Sequence, residues 1–164
     1  MNIELRAAEE RDIPGIAAVW NLMIRETLST FTSEEKSEDA LRAWLQEKRA
    51  ACLPVLVASC DGIFAGFATY GPFRSGPGYR HTMELTILVE DRVQGTGAAR
   101  TLLAGLEKHA GEAGIATLVA GMSGTNARAI AFHARAGYRE VARMPGVGFK
   151  RGRWLDLVLM QKRL

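Results

Sequence analysis

The stretch "LVEDRVQGTGAARTLLAGLEKHA", Leu88 to Ala110, decides the fold. A β-like run closes in a charged turn, Gly95 and Gly97 follow, and a long amphipathic pattern begins. Leu102, Leu103, Leu106, Ala110 and Ala113 fall on one helical face, and Gly114 stops the helix. Glycines between a strand and a helix let backbone come close to a ligand. That ligand is commonly a phosphate, because orphaned N–H groups and the helix dipole converge there. A P-loop needs two glycines five apart and then Lys and Ser/Thr, a spacing that "QGTGAART" lacks. A dinucleotide fingerprint needs a third glycine and an acid roughly 20 residues on. Here Arg100 takes the glycine's place and "IATLVA", 115–120, has no acid. The pattern that fits is Q-x-x-G-x-A, over Gln94, Gly95, Thr96, Gly97, Ala98 and Ala99. Tiny side chains at 95, 97 and 99 would let a pyrophosphate reach the peptide, with a hydroxyl from Thr96 and a cation from Arg100.

Outward from this turn, the chain alternates periodicities. Residues 2–7 read as a strand, and Asp12 is expected to cap a helix with Pro14 in its first turn. Ile13, Ile16, Trp20, Met23 and Ile24 face its core side. The polar loop 27–37 holds Phe31, and 38–50 is a second helix with Leu41, Trp44 and Leu45 inward. "PVLVASC" (54–60) and "IFAGFATYG" (63–71) form a hairpin around Asp61-Gly62. "HTMELTILV" (81–89) leads into the glycine turn, and 116–122 is a buried strand. Residues 125–137 form a short helix, and strands at 138–144 and 154–161 finish the chain. The order is β-α-α-β-β-β-α-β-α-β-β, an α/β (α+β) domain over 1–164. It has a mixed, largely antiparallel sheet with one βαβ unit.

Composition excludes several classes. With 48% hydrophobic and 24% charged residues, the 164-residue chain is an ordinary globular one. A net charge of +3, without a clustered basic module, argues against a nucleic-acid surface and suits an anionic small ligand. No apolar run is long enough to span a membrane. Cys52 and Cys60 make no metal motif, Cys60 reads as a small core residue, and the expected compartment is the cytoplasm.

The glycine turn resembles the acetyl-CoA signature Q/R-x-x-G-x-G/A of the GNAT N-acetyltransferase superfamily. The resemblance implies acetyl-CoA as co-substrate. It also implies a pantetheine arm lying between the splayed strands 81–89 and 116–122, against the backbone of Ile87, Leu88 and Val89. "TNARAIAFHARAGYREV" is similar to the helix that flanks the arm in that family, with Asn126 near its start. His133 stands where many members carry a tyrosine thought to protonate the departing thiolate, and Tyr138 reads as packing.

Three blocks resemble the phosphinothricin and methionine sulfoximine acetyltransferase branch: "YRHTMELTILVEDRVQGTGAARTLL", "LVAGMSGTNARAIAFHARAGYREVAR" and "VGFKRGRWLDLVLMQ". That branch carries a histidine like His133, and its strand glutamate maps onto Glu84. A protonated amine must lose a proton before it attacks a thioester, and a partly buried carboxylate suits that task. From Glu84 to Val89 an extended strand covers about 16 Å at ~3.3 Å per residue, comparable to a pantetheine arm. Amides around Ile87 to Val89 would polarise the thioester carbonyl, and His133 is a candidate acid or cofactor contact. An amino-acid acceptor would want cations, for which Arg74 and then Arg80 are the candidates; Phe31 and Thr30 would line its pocket. Where the branch carries two basic residues close together, this chain has Arg74 followed by "SGPG". The resemblance also implies a homodimer, with "GFKRGRWLDL" as contact or pocket wall. Two rivals stay open: a protein N-terminus, polyamine or aminoglycoside as acceptor, and a non-catalytic acyl-CoA-binding module.

Overall fold

The computed structural model describes residues 2–164. Seven strands and four helices follow in the expected order: β1 (Ile3–Ala7), α1 (Ile13–Glu26), α2 (Glu38–Ala50), β2 (Val55–Cys60), β3 (Ile63–Pro72), β4 (Thr82–Val89), α3 (Ala98–Glu112), β5 (Thr117–Ser123), α4 (Ala127–Arg135), β6 (Arg139–Lys150) and β7 (Arg153–Arg163). They build one sheet in the order β1-β2-β3-β4-β5-β7-β6. Every neighbouring pair is antiparallel except β4 and β5, which α3 joins.

Side-chain alternation divides the core into two layers. Met83 and Leu85 of β4 join Leu118, Ala120 and Met122 of β5 against Leu102, Leu103 and Leu106 of α3. On the opposite face, Phe67 of β3 packs with Ile13, Ile16, Leu41 and Leu45 of α1 and α2, and the edge of Trp20 lies against Trp44. Burying a large aliphatic side chain contributes about 1.5–3 kcal/mol, so each layer fixes its helices firmly onto the sheet.

Three expectations need correction. Asp12 does not cap α1: its carboxylate accepts the Glu9 N–H at 2.8 Å and pairs with Arg6 at 2.7 Å, closing the short 3-10 turn before the helix. Ala113 is the exposed C-cap residue after α3 rather than part of its buried face, and Gly114 at φ +74° then turns the chain. β6 is longer than expected, reaching Lys150 through a register shift between Met144 and Gly148. Pro145 and Gly146 read as a strand end, but the irregularity absorbs them. The tail block is therefore part of a hairpin, turned by Arg151 and Gly152, both at positive φ.

Candidate active site

β4 and β5 pair only over Thr82–Leu85 and Thr117–Ala120. Beyond that point β4 runs on to Val89 and β5 to Ser123 without pairing. The gap leaves free backbone on both inner edges. Antiparallel alternation decides which amides face it. The Glu90 N–H donates to Ala65 O and the Phe73 N–H to Thr82 O, so the even-numbered residues of β4 bond to β3. Ile87 and Val89 therefore turn their amides toward the gap, whereas Leu88 turns its amide to β3 and offers only its side chain. Gly66 permits this pairing, since a Cβ there would lie 2.4 Å from Leu88 O.

A cavity of about 330 Å³ opens at the split. Glu84 and Thr86–Leu88 of β4, Ala120–Ser123 of β5, Asn126 and His133 of α4, and Ser29–Phe31 of the loop after α1 line it. A larger open hollow of about 560 Å³ along the outer face of α1 contains none of the expected residues.

Glu84 is the carboxylate of the cavity. Solvent reaches it, but surrounding protein partly desolvates its carboxyl and raises the pKa, with Arg74 opposing the rise. Gly121 makes room for it: a Cβ there would stand 2.8 Å from Glu84 Oε1. Arg74 itself is exposed and lies over the Phe73 ring at 5.3 Å. Arg80 is not brought to the cavity; its guanidinium donates to Pro77 O at 3.3 Å in its own loop.

His133 is buried, and Nδ1 is 2.9 Å from Ala129 O. A carbonyl only accepts, so Nδ1 carries a proton, and Nε2 has no partner among the described residues. Burial lowers the pKa against the raising effect of the backbone bond. The neutral ring thus presents an acceptor, which suits receiving a hydrogen bond better than donating a proton. Tyr138 is buried in the core behind it, as expected of a packing residue.

The glycine turn stands beyond β4, after the short 3-10 turn Asp91–Val93. Gly95 and Gly97 have φ of +78° and +97°, and no atom lies within 4 Å of where a Cβ on Gly95 would be. Neither amide donates to an acceptor among the described residues, and the first-turn amides of α3 at Ala99 and Arg100 are orphaned by helix geometry. Arg100 is exposed with no carboxylate partner among the described residues. This cradle fits a diphosphate. Some side chains are committed elsewhere. The Thr96 hydroxyl donates to Val93 O at 2.7 Å, the Gln94 amide donates to Asp91, and Ala98 is buried in the core with its N–H 3.4 Å from Thr96 Oγ1.

Gly121 and Ser29 were not anticipated as site-builders, whereas Gly148 and Lys150 fall in the tail block expected to be a contact or pocket wall. Besides Gly121, Gly148 of β6 lies under Phe31, where a Cβ would be 2.5 Å from Cδ2. Lys150 is buried and donates to Thr27 O and Thr30 O at 2.8 and 2.9 Å. The Asn126 side chain caps α4 through the Ala129 N–H at 3.0 Å and donates to Ser29 Oγ at 3.2 Å. The glycine within the β5 pattern carried a signal of close approach; Ser29 carried none.

Comparison with known proteins agrees with this geometry. An L-methionine sulfoximine/L-methionine sulfone acetyltransferase of Salmonella typhimurium is 35% identical over 160 residues, 98% of this chain and 94% of the relative. A Salmonella typhimurium acetyltransferase structure described with acetyl-CoA superposes at TM-score 0.94, with 34% identity over 99% of this chain and 94% of that one. A Brucella melitensis structure described as a ribosomal-protein-alanine N-acetyltransferase superposes at 0.95, with 39% identity over 98% and 99%. The Acetyltransferase (GNAT) domain family matches residues 5–159, and the chain belongs to that family of acetyltransferases.

Proposed function

We propose that the protein, acting as one domain, transfers the acetyl group of acetyl-CoA to the primary amine of a small amino acid or amino-acid analogue. The single observation that carries this reading is the Glu84 carboxyl at the point where β4 and β5 part, in a cavity that also holds Phe31 and Ser123. The Salmonella relative, named for amino-acid analogues, supports the acceptor class.

Acetyl-CoA, when bound, supplies the activated acyl carbon. Gly95, Gly97, Ala99 and Arg100 hold its diphosphate through backbone amides and one cation. The Ile87 and Val89 amides donate to its arm and polarise the acyl oxygen. Glu84 takes the proton from the incoming ammonium, directly or through one water, and its raised pKa brings it closer to that task. Arg74 favours the ionised carboxylate against the larger effect of burial and attracts an anionic acceptor. His133 accepts a hydrogen bond on the cofactor side, and Asn126 positions the acceptor loop.

Glu84→Gln is expected to lower kcat about a hundredfold or more at neutral pH while calorimetry shows acetyl-CoA affinity unchanged. An unaltered rate would remove Glu84 as the base. The Brucella description favours a second reading, a protein N-terminus as acceptor. A screen of acetyl-CoA consumption with free amino acids, methionine sulfoximine and a peptide beginning in Ala separates the two.

A homodimer through the β6–β7 hairpin belongs to the same proposal. Phe149 and Trp154 are 56% and 71% exposed with ring centroids 4.8 Å apart, beside Met144 and Val147. Sedimentation of Trp154→Arg as a monomer is the expected check. Cys52 and Cys60, both free thiols, support a cytoplasmic setting.

A further inference from the structure

The hydrogen bonds around one buried lysine bear on which group the acceptor must carry. Lys150, at the end of β6, is 3% exposed. Its ammonium donates to Thr27 O at 2.8 Å, Thr30 O at 2.9 Å and Thr30 Oγ1 at 3.2 Å. Three oxygen acceptors take all the protons an ammonium has, so the geometry is that of the charged form. No carboxylate among the described residues pairs with it. A positive charge therefore sits directly behind the loop that walls the cavity.

The consequence falls on Thr30. Its oxygen already accepts from Lys150, so its own proton must point elsewhere. That proton has no acceptor among the described residues, and Thr30 lines the same cavity as Glu84. A hydroxyl polarised by a charge behind it is a stronger donor. Ser29 repeats the arrangement: its Oγ accepts from Asn126 Nδ2 at 3.2 Å and it too lines the cavity. Each of these hydroxyls has one lone pair occupied and its proton uncommitted, which biases both toward donating on the wall of a cavity that Arg74 already biases toward anions.

We propose that the Thr30 hydroxyl, with Lys150 behind it, binds the carboxylate of the acceptor and so selects amino acids over amines that lack an acid group. Lys150 acts through Thr30 and is a positioning residue. The inference rests on the small amino-acid reading of the cavity.

Initial-rate kinetics with L-methionine sulfoximine and with its carboxamide, which lacks the negative charge, test it in the full-length enzyme. Thr30→Val is expected to raise KM for the sulfoximine about tenfold, the effect of losing one hydrogen bond to a charged group. Its kcat should stay within about twofold, and acetyl-CoA affinity should not change. KM for the carboxamide should barely move, and Thr30→Ser should restore the wild-type value. Lys150→Met should shift KM in the same direction; if that variant does not fold, the Thr30 pair still decides. Equal KM changes for both amines, or a loss confined to kcat, would overturn the assignment. If the wild-type enzyme consumes neither amine, the amino-acid reading itself falls and this inference falls with it.

Discussion

The proposed cofactor half and acceptor half of the site are built in opposite ways. The first is, His133 apart, one continuous piece of chain from Ile87 to Arg100, and works mainly through backbone amides fixed by a strand end, two glycines and a helix start. The second is assembled from the loop after α1, the middle of β4, the N-terminus of α4 and the end of β6. Its clamps span the sequence: Asn126 reaches Ser29 across 97 residues and Lys150 reaches Thr30 across 120. A site made of local backbone is held by secondary structure itself. A site made of distant side chains is held only as well as its clamps.

That difference predicts two separable failures. Gly97→Val should have the largest binding effect, because a β-branched residue at φ +97° is strained and would pull the cradle's amides out of line, with its Cβ 3.7 Å from Ile3 Cδ1. Acetyl-CoA affinity measured by calorimetry is expected to fall on the order of a hundredfold, about 2.7 kcal/mol. Circular dichroism should show the fold retained, since Gly95 and Gly97 are themselves exposed. Next comes Gly148→Ala. A Cβ 2.5 Å from Phe31 Cδ2 forces that ring to move, and the acceptor KM is expected to rise roughly fivefold while acetyl-CoA affinity stays put, a loss of about 1 kcal/mol. If Gly148→Ala weakened acetyl-CoA as much as it weakened the acceptor, the two halves would be one mechanical unit and the comparison would break.

The same contrast explains what could be read from the sequence. The glycine turn, the strand before it and the helix after it are local patterns, so Gly95, Gly97 and the boundary at Ala98 were legible. The strand that carries Glu84 was legible too, and the structure puts that residue on the cavity wall. Arg80 was misjudged because a Gly/Pro loop gives no periodicity from which to read direction, and the structure turns it to Pro77. The Thr96 hydroxyl and the Leu88 amide were misjudged for a related reason. Whether a group is free depends on a hydrogen bond inside a turn or on strand alternation, and residue type does not encode it. Lys150 lay in a block read as contact or pocket wall, with nothing to say which of its cations would turn inward. Only the hairpin's length and register bring it under the loop.

Arg74 offers a smaller effect that sharpens the acceptor half. It lowers the Glu84 pKa against the rise imposed by burial. Removing it with Arg74→Ala must therefore raise the pKa of the base further. The acidic limb of the kcat profile should move to higher pH, whereas acetyl-CoA affinity should not change. A limb that stayed in place would show that the cation is too well solvated to reach the carboxylate.

The smallest expected effect is on stability, and it separates the halves by sign. Glu84 has its pKa raised in the folded state, so the folded protein holds this proton more tightly than the unfolded chain does. The stabilisation that this gives is complete below the unfolded pKa and is lost as pH rises through the folded one. At neutral pH the wild-type protein therefore carries an ionised carboxylate at a cost, and Glu84→Gln should melt slightly higher. The gain should be modest, a few tenths of a kcal/mol, because solvent reaches the carboxyl and screens it. It should vanish in acid, where the wild-type side chain is protonated as well. Differential scanning calorimetry at pH 7 and near pH 4 checks both points. Gly97→Val gives no such crossover, because the glycine turn contains no strained ionisation to relieve. A carboxylate kept where it destabilises the fold and lost with turnover is what a base held for chemistry looks like; one that stabilised the protein would be a structural residue that happens to face a cavity.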